Sequence, residues 1–318
     1  MPIIPSTYKA PFYLFNGHAE TIVPSIFRKI KDANYERERL ELSDGDFLDL
    51  DWIKTSSDKL VIISHGLEGN SERHYSKGMA KYFAKNGWDA LAWNCRSCSG
   101  EMNRLPRFYH HGDALDLKAV IDYAISKNYK TISLIGFSMG GSMTLTYLGQ
   151  FASHLPSEVK SAVTFSVPCD LVSSVKELNK PSKSFYRERF LKKLEKKILS
   201  KSKIFPDVIQ YRDFKDVTSF EVFDNCYTAP LHGFENALDF YVKASCQNHL
   251  AAITIPTLLV NAANDPFLTG SCYPTELASK HPYLYLEIPS RGGHTGFSLF
   301  NSDVNWMEKR ALEFVSRI

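Results

Sequence analysis

No part of the 318-residue sequence is a long apolar run. A helix that crosses a bilayer needs about 18 uninterrupted apolar residues, and no stretch of this chain approaches that length. The beginning of the chain, MPIIPSTYKAPFYLFNGHAE, contains prolines and a lysine where a secretory signal peptide needs an unbroken apolar segment. We therefore expect a soluble, cytoplasmic protein.

The sequence also lacks an excess of charge of one sign. Its 38 lysines and arginines nearly balance 35 aspartates and glutamates, so the formal net charge is only +3. No block of basic residues with interleaved aromatic residues forms a stripe of the kind that binds nucleic acid. We therefore expect no nucleic-acid partner.

Cysteines are too few for a disulfide framework. The 318 residues include six cysteines, whereas such frameworks are typical of short secreted chains, so we expect reduced thiols. Cys95 and Cys98 have C-x-x-C spacing, but no second ligand pair completes a zinc site. Cys95 also ends a predicted strand, whereas a redox pair would begin a helix. We interpret both as packing residues and expect no metal and no cofactor.

Predicted strands and helices alternate through the first half of the chain. Apolar strand runs are predicted at 59–65, 88–94, 130–137 and 159–168, and helical patterns at 73–87, 112–128 and 139–154. Upstream of them, alternation around Asp44 and Gly45 predicts a β-hairpin, since glycine readily adopts the positive φ of such turns. This order is typical of an α/β fold whose helices cover both faces of a parallel sheet.

The alternation stops at about 170 and resumes after 250. The intervening residues have helical or irregular patterns, and the strands predicted at 255–265 and 283–289 then precede a final helix at 301–318. We therefore predict a mostly parallel, twisted sheet of about eight strands flanked by helices, built from residues 1–169 and 251–318. A helical cap is inserted at 170–250.

The segment LIGFSMGGSM places Ser138 between Gly136 and Gly140, directly after a predicted strand. On a sharp strand-to-helix turn, side chains two positions from the centre would collide with the neighbouring elements, which accounts for both glycines. The turn exposes the serine hydroxyl beside the first amides of the following helix. Ser138 is therefore the candidate nucleophile.

A serine nucleophile needs a base and an acid that orients the base. Asp265 and His294 follow Ser138 in the order serine, acid, histidine, and each lies just past a predicted strand. Asp170 is the alternative acid, although its place at the start of the cap also suits a helix cap. The histidines that compete for the base are His110, His111, His232, His249 and His281.

Attack on a carbonyl produces an oxyanion that two N–H groups must stabilise. The amide of Met139 begins the helix after Ser138 and is one candidate. The amide of Leu67, in the segment HGLEGNS after another strand, is the second. We interpret His65 in that segment as a structural residue that ties the loop down.

Several segments together resemble the α/β-hydrolase superfamily, and more specifically its YheT-like esterase branch, which also holds eukaryotic lipid hydrolases and yeast alcohol acyltransferases. The segments are GFSMGG, HGLEG, NAANDPF and GGHTGF, with FNGHAETIVPSIFR, LSDGDFLDLDW, NCRSCSGEMNRLPRFYHHGD and TAPLHGFENALDFYVKAS. The resemblance implies the α/β-hydrolase fold, Ser138 as nucleophile, Asp265 as acid, His294 as base and the Leu67 and Met139 amides as oxyanion donors. One departure is Ser97, where the resemblance implies glycine. If the position requires a positive φ, Ser97 is strained or the loop is rearranged.

The stretch 184–203 has apolar residues at every fourth position, Tyr186, Phe190, Leu194 and Ile198. Eight cationic residues cover the remainder: Arg187, Arg189, Lys192, Lys193, Lys196, Lys197, Lys201 and Lys203. We interpret this stretch as a cap helix with a solvated polar face. The alternative is an interfacial helix that makes peripheral membrane contact and guides lipid or anionic substrates to the pocket.

These features predict a serine carboxylic-ester hydrolase that acts on small-molecule or lipid esters through an acyl-enzyme. An alcohol acyltransferase or a lipid or phospholipid acyl hydrolase with the same three residues is the first alternative. A non-catalytic binding protein on a hydrolase scaffold is the alternative from another class.

Overall fold

The computed structural model of the chain describes residues 3–318. Residues 1–2, at the start of the predicted core segment 1–169, lie outside the described residues. The strands are β1 (Ile3–Ile4), β2 (Glu36–Glu41), β3 (Phe47–Ile53), β4 (Lys59–Ser64), β5 (Asp89–Trp93), β6 (Thr131–Phe137), β7 (Val159–Phe165), β8 (Thr257–Val260) and β9 (Leu284–Glu287).

Helices lie between these strands and after the last of them. They are α1 (Gly17–Phe27), α2 (His74–Lys85), α3 (Ala114–Ser126), α4 (Met139–Gln150), α5 (Leu171–Leu178), α6 (Ser184–Ile204), α7 (Phe220–Phe223), α8 (Ala229–His232), α9 (Ala237–Ala244), α10 (Thr275–Lys280) and α11 (Trp306–Val315). A π-helical turn spans Asp224–Thr228, and short 3-10 helices span Ala152–His154, Pro181–Lys183, Cys246–Asn248, Leu250–Ala252 and Gly270–Cys272.

Within residues 3–318 the strands form one nine-stranded sheet in the order β1-β9-β8-β7-β6-β4-β5-β3-β2. All neighbouring strands are parallel except the pairs β2–β3 and β3–β5, which are antiparallel. The predicted mostly parallel sheet is confirmed, with one strand more than the expected eight. The hairpin predicted around Asp44 and Gly45 is confirmed as β2 and β3, with a φ of 85° at Gly45.

The sheet separates two apolar cores. In β4, Leu60 and Ile62 pack into one core, whereas Val61 and Ile63 pack into the other. Successive side chains of a strand point to opposite faces, so a strand covered on both faces must be apolar throughout. The continuous apolar runs that predicted the central strands follow from this arrangement.

The carboxyl ends of the parallel strands lie at one edge of the sheet. Phe137 at the end of β6 is in register with Phe165 of β7, and Val260 at the end of β8 is in register with Glu287 of β9. The segments that leave β6, β8 and β9 therefore emerge at the same edge, where ligand sites of open α/β sheets are found.

Residues 170–250 lie between β7 and β8 and contain helices α5 to α9 and no strand. The longest of them is α6, with 21 residues. The division of the chain into a cap at 170–250 and a core built from 1–169 and 251–318 stays a prediction. In the part of the chain that the structure describes, no helix combines the length and apolar composition needed to cross a bilayer.

Candidate active site

Ser138 is the single residue between β6 and α4, and its backbone has a φ of 53° and a ψ of −118°. A positive φ is costly for a residue with a side chain, and residues strained in this way are enriched at functional sites. A Cβ atom at Gly136 would lie 2.6 Å from the carbonyl oxygen of Gly140, and one at Gly140 would lie 2.3 Å from that of Ser64. Neither position accommodates a side chain, as the sequence pattern predicts.

The structure brings Ser138, His294 and Asp265 together. Nε2 of His294 lies 2.9 Å from Oγ of Ser138. Nδ1 of the same ring lies 2.9 Å and 3.1 Å from the two carboxylate oxygens of Asp265. Because Nδ1 faces a carboxylate, we assign the ring proton to Nδ1, and Nε2 is then free to accept the serine hydroxyl proton.

The Asp265 carboxylate is held in place from a second direction. The backbone N–H of Phe267 donates to Oδ1 of Asp265 at 2.9 Å, and the Asp265 side chain is inaccessible to solvent. The Phe267 ring packs against the His294 imidazole with centroids 4.1 Å apart. Burial of the acid and an aromatic neighbour therefore restrict the orientation of the imidazole.

The alternative acid has a different role. The Asp170 side chain accepts hydrogen bonds from the backbone amides of Val172 and Ser173, at 3.0 Å and 3.4 Å, and so caps the N-terminus of α5.

The five histidines that competed for the role of base do not hydrogen-bond Ser138 in the described chain. Within residues 3–318, the histidine that does so is His294. His232, for example, bonds the carbonyl oxygen of Thr228.

The two amides expected to bind an oxyanion flank Ser138. Leu67 follows β4 and Met139 is the first residue of α4, and β4 and β6 are neighbouring strands. Neither the Leu67 nor the Met139 N–H donates to an acceptor elsewhere in the described chain. A Cβ at Gly66 would lie 3.2 Å from the Ser138 Cβ, which shows how closely this loop approaches the serine. Two unpaired N–H groups next to a nucleophile are suited to stabilising negative charge.

His65 connects the Leu67 loop to the sheet edge. Its Nδ1 lies 2.8 Å from the Gly66 carbonyl oxygen, and its Nε2 accepts a hydrogen bond of 3.1 Å from the Cys95 amide. Complete burial lowers the pKa of His65 to about 4, so the ring is neutral. These contacts match the structural role that we predicted for His65.

Helix α1 holds the loop that carries His294, and the sequence analysis assigned no role to this helix. The backbone N–H of His294 donates to Oγ1 of Thr21 at 2.9 Å. Oε2 of Glu20, a buried residue, accepts from the Gly292 amide at 2.8 Å, and Oε1 accepts from Arg291 Nε at 2.8 Å. The signal was present in the family-like segment FNGHAETIVPSIFR, but pattern alone does not show which loop a helix contacts.

Three lysines of α6 form a stripe that contacts residues of the core segment 1–169. Lys193 donates to the Glu68 carbonyl oxygen at 3.1 Å, and Lys197 forms a 2.8 Å ion pair with the Glu68 carboxylate. Lys201 is fully buried and donates to the Asn103 carbonyl oxygen at 2.9 Å. The prediction of a solvated polar face is therefore wrong for this stripe, because a spacing of four residues places all three lysines on one helix face.

The loop that contains Cys95 and Cys98 has the positive φ at Ser97 that the sequence analysis considered. Ser97 has a φ of 61°, and its Oγ accepts a 3.1 Å hydrogen bond from the Asn103 amide. The position thus has the left-handed backbone that favours glycine, and its hydroxyl is used within the loop.

Cys95 and Cys98 are buried thiols whose pKa values are raised by burial. No group of side chains suited to metal binding occurs within residues 3–318.

Two cavities meet at Ser138. One, about 1080 Å³ with its open mouth included, extends beneath the cap; we call it the apolar cavity. Its lining includes Phe108, Val175, Leu194, Ile198, Phe220 and Phe223. The other, about 810 Å³ on the same measure, contains Arg73, Arg189 and Lys193 and is called the basic cavity. Leu67, Ser138, Phe190, Phe267 and His294 line both.

Comparison with known proteins gives consistent matches. A family model described as serine aminopeptidase, S33, matches residues 55–271. YheT, a proposed esterase of Escherichia coli (strain K12), is 30% identical over 311 residues, which cover 95% of this chain and 90% of that protein. Phospholipase ABHD3 of Mus musculus is 26% identical over 327 residues, covering 99% of this chain and 79% of that protein.

A solved structure shares the fold. The esterase Pf2001 of Pyrococcus furiosus superposes with a TM-score of 0.59 and is 21% identical in sequence. The alignment covers 89% of this chain and 91% of that one. At this level of identity, the likeness shows the same arrangement of sheet and helices.

Proposed function

The chain belongs to the serine aminopeptidase S33 family of α/β-hydrolases and is an esterase- or lipase-type hydrolase, and from that premise we propose that it hydrolyses carboxylic esters through an acyl-enzyme on Ser138. The observation that carries this proposal is the pair of contacts from Ser138 to His294 and from His294 to Asp265, at 2.9 Å each. A hydroxyl, an imidazole and a carboxylate in this geometry activate the hydroxyl for attack on a carbonyl.

In the first half-reaction, Nε2 of His294 takes the proton of Ser138 as its Oγ attacks the ester carbonyl carbon. The Leu67 and Met139 amides stabilise the resulting oxyanion, and Asp265 stabilises the imidazolium. The bond from the carbonyl carbon to the alcohol oxygen then breaks. The departing oxygen takes the proton from His294, which leaves an acyl ester on Ser138.

In the second half-reaction, water replaces the alcohol. His294 removes a proton from water as the water oxygen attacks the acyl-enzyme, and the same two amides hold the second oxyanion. The bond to Oγ breaks, Ser138 recovers its proton from His294, and the carboxylic acid leaves. An alcohol in place of water would make the same site an acyltransferase, and ethyl ester formation in the presence of ethanol distinguishes the two reactions.

The apolar cavity supports an acyl chain as the part of the substrate bound under the cap. Its aliphatic and aromatic lining suits a hydrocarbon chain, since apolar surface removed from water stabilises the complex by about 25 cal/mol per Å². A lipid or other long-chain ester is therefore the substrate class we propose. A phospholipase and a proposed esterase among the related proteins are consistent with this class.

The charge around Ser138 disfavours an aminopeptidase, despite the name of the family. A peptidase of that type needs a carboxylate to hold the substrate ammonium group. Within the described residues, the basic cavity is lined by no acid, and in the apolar cavity Glu68 is paired with Lys197. Asp224, the other acid there, is buried and accepts from Thr228 and Tyr241, which also line that cavity.

Substitution of the nucleophile tests the proposal. Ser138→Ala should lower kcat toward p-nitrophenyl esters by about 10⁴-fold or more and abolish labelling by a fluorophosphonate. Ser142→Ala is the matched control, because Ser142 lies on α4, is buried and its hydroxyl has no hydrogen-bond partner in the described chain. It should retain wild-type activity and labelling.

Equal labelling of wild type and Ser138→Ala would overturn the assignment. Absence of labelling in the wild type would favour a non-catalytic binding protein on a hydrolase scaffold. A cytoplasmic location and contact of the cap with a membrane surface stay predictions.

A further inference from the structure

The basic cavity contains three cations with no acidic partner. Arg73, Arg189 and Lys193 line it together with Ser138 and His294. In the part of the chain that the structure describes, none of these three forms an ion pair with a carboxylate, although most other arginines do. Three unpaired positive charges beside a nucleophile leave a site that is complementary to an anion.

Arg73 and Lys193 are held next to each other. Nη2 of Arg73 and Nζ of Lys193 both donate to the carbonyl oxygen of Glu68, at 2.9 Å and 3.1 Å. Two cations that share one acceptor repel each other, and the Glu68 carboxylate compensates them only in part because it also pairs with Lys197. An anion bound between them would remove this repulsion.

The electrostatic state of Lys193 agrees with this arrangement. Partial burial, followed by the positive charge of Arg73, lowers the pKa of Lys193 to about 8. His74, in the same cavity, is neutral because burial lowers its pKa to about 3. Lys193 therefore still carries its charge at neutral pH, and the binding groups of the cavity are Lys193 and the two arginines.

Arg189 lies one helical turn before Lys193 on α6, so the two side chains share a face. Arg189 is exposed, whereas Lys193 is half-buried. The positive charge thus extends from the solvent toward Ser138. The apolar cavity also reaches Ser138, and among the described residues its lining contains no lysine or arginine except Lys197, which is paired.

We propose that the substrate is an acyl ester whose alcohol carries an anionic group such as a phosphate, with the acyl chain in the apolar cavity and the anion bound by Arg73, Arg189 and Lys193. This inference rests on the proposed function. Attack by Ser138 breaks the bond between the carbonyl carbon and the alcohol oxygen, and His294 protonates that oxygen. The anionic alcohol leaves through the basic cavity with its charged group unchanged, and water then releases the acid.

A pair of esters that differ only in charge tests the inference. The pair is a 1-acylglycerol and the 1-acylglycerol 3-phosphate with the same acyl chain, assayed at pH 7.5 as monomers. We expect kcat/KM to be about tenfold or more higher for the phosphate, since each 1.4 kcal/mol of differential binding is tenfold. The same comparison with a short-chain pair and with a long-chain pair shows whether the preferred substrate is a water-soluble anionic ester or a lipid.

Variants test whether the preference for the phosphate ester arises in the basic cavity. Arg189→Gln and Lys193→Gln should each lower the phosphate-to-neutral ratio by about three- to tenfold, because each removes one charge that faces the anion. Lys193→Arg should keep the ratio. Lys196→Gln is the matched control: Lys196 is exposed on the same helix and lines neither cavity. It should leave the ratio unchanged.

The outcomes separate the inference from the proposed function. If the wild type hydrolyses both esters equally, or if Arg189→Gln and Lys193→Gln keep the wild-type ratio, the inference is overturned and ester hydrolysis stands. If the wild type hydrolyses no ester and takes up no fluorophosphonate, both are overturned. If Ser138 is labelled but neither ester is hydrolysed, the preference is measured instead as the protection that each ester gives Ser138 against labelling. Equal protection by the phosphate and the neutral ester would overturn the inference. Arg189→Gln removes an exposed side chain, so this arm does not depend on a change in folding.

Discussion

The turn that carries Ser138 and the loop that carries His294 are held in place in different ways. Ser138 sits between a strand and a helix, and its conformation follows from two glycines within two residues of it. The His294 loop follows β9 without a helix behind it, and four of its residues have a positive φ. These are Gly292, Gly293, Thr295 and Phe297.

The loop gets its shape from a distant part of the chain. Glu20 and Thr21 of α1 accept hydrogen bonds from the loop backbone, and Asn264 donates to Glu20 at 2.7 Å and accepts from the Gly293 amide at 3.0 Å. The nucleophile is thus positioned by its own strand–turn–helix unit, whereas the base is positioned by a helix about 270 residues earlier. Three substitutions test this contrast, beginning with the one that should have the largest effect.

Gly140→Ala should destroy the geometry of the Ser138 turn. The added Cβ would lie 2.3 Å from the Ser64 carbonyl oxygen and 2.6 Å from that of His65, and backbone atoms cannot move away cheaply. We expect fluorophosphonate labelling and kcat/KM to fall by about 10³-fold, with a loss of stability of about 1–3 kcal/mol. Gly270→Ala is the control, because a Cβ there meets nothing within 4 Å.

A wild-type labelling rate in Gly140→Ala would show that the turn tolerates a side chain and would contradict this account of the motif. Loss of folded protein in Gly140→Ala with a normal Gly270→Ala would agree with it, since the clash lies between two buried backbone segments. The melting temperature separates loss of fold from loss of site geometry.

Glu20→Gln should impair the His294 loop while leaving the Ser138 turn intact. The carboxylate accepts from Arg291, Gly292 and Asn264. The NH2 group of a glutamine side chain cannot accept, so at least one of these donors would lose its acceptor. A displacement of the base by about 1 Å can reduce the rate by 10²-fold, so we expect kcat to fall by about ten- to a hundredfold with little change in KM.

Glu41→Gln provides the same chemical change at an exposed ion pair with Arg104. Both side chains are exposed to solvent, where ion pairs contribute little, so its kinetics should be those of the wild type. A Glu20→Gln enzyme with a lowered melting temperature but an unchanged kcat would limit Glu20 to a structural role.

Thr21→Val should have the smallest effect of the three. It removes the hydroxyl that accepts from the His294 amide and donates to the Gly17 carbonyl oxygen, and a buried amide left unpaired costs about 1–3 kcal/mol. We expect kcat to fall by about three- to tenfold. The control is Thr146→Val on α4, whose buried hydroxyl has no hydrogen-bond partner within residues 3–318.

Equal losses of kcat in Thr21→Val and Thr146→Val would show that hydroxyl removal acts through general packing. A loss confined to Thr21→Val would indicate that α1 positions the base through this one hydrogen bond.

Sequence patterns predicted the elements whose shape depends on local contacts. The central strands, the hairpin at Gly45 and the boundary between β6 and α4 are found within a few residues of their predicted positions. Strand β8 is shorter than predicted, Thr257–Val260 instead of 255–265, because the chain forms a turn at residues 263–264, before Asp265. The order serine, acid, histidine, with each residue just past a predicted strand, also identified Asp265 and His294, in agreement with the family-like segments.

Long-range contacts were not predictable in the same way. Helix α1 was missed, although Asn16 caps it and its first turn contains Glu20, because its role depends on a loop near the other end of the chain. The lysine stripe of α6 was interpreted as solvated, since a period of four residues shows which side chains share a face but not which face is covered.

The sequence by itself determined that the chain forms a mostly parallel sheet with a serine on a strand-to-helix turn, because side-chain alternation and the two glycines act over a few residues. Only the tertiary structure decided what surrounds that serine. Helix α1 supports the base, and α6 turns some of its cations toward the core and others toward a second cavity. Those contacts join residues far apart in the chain, and their energies depend on burial and charge that no local pattern contains.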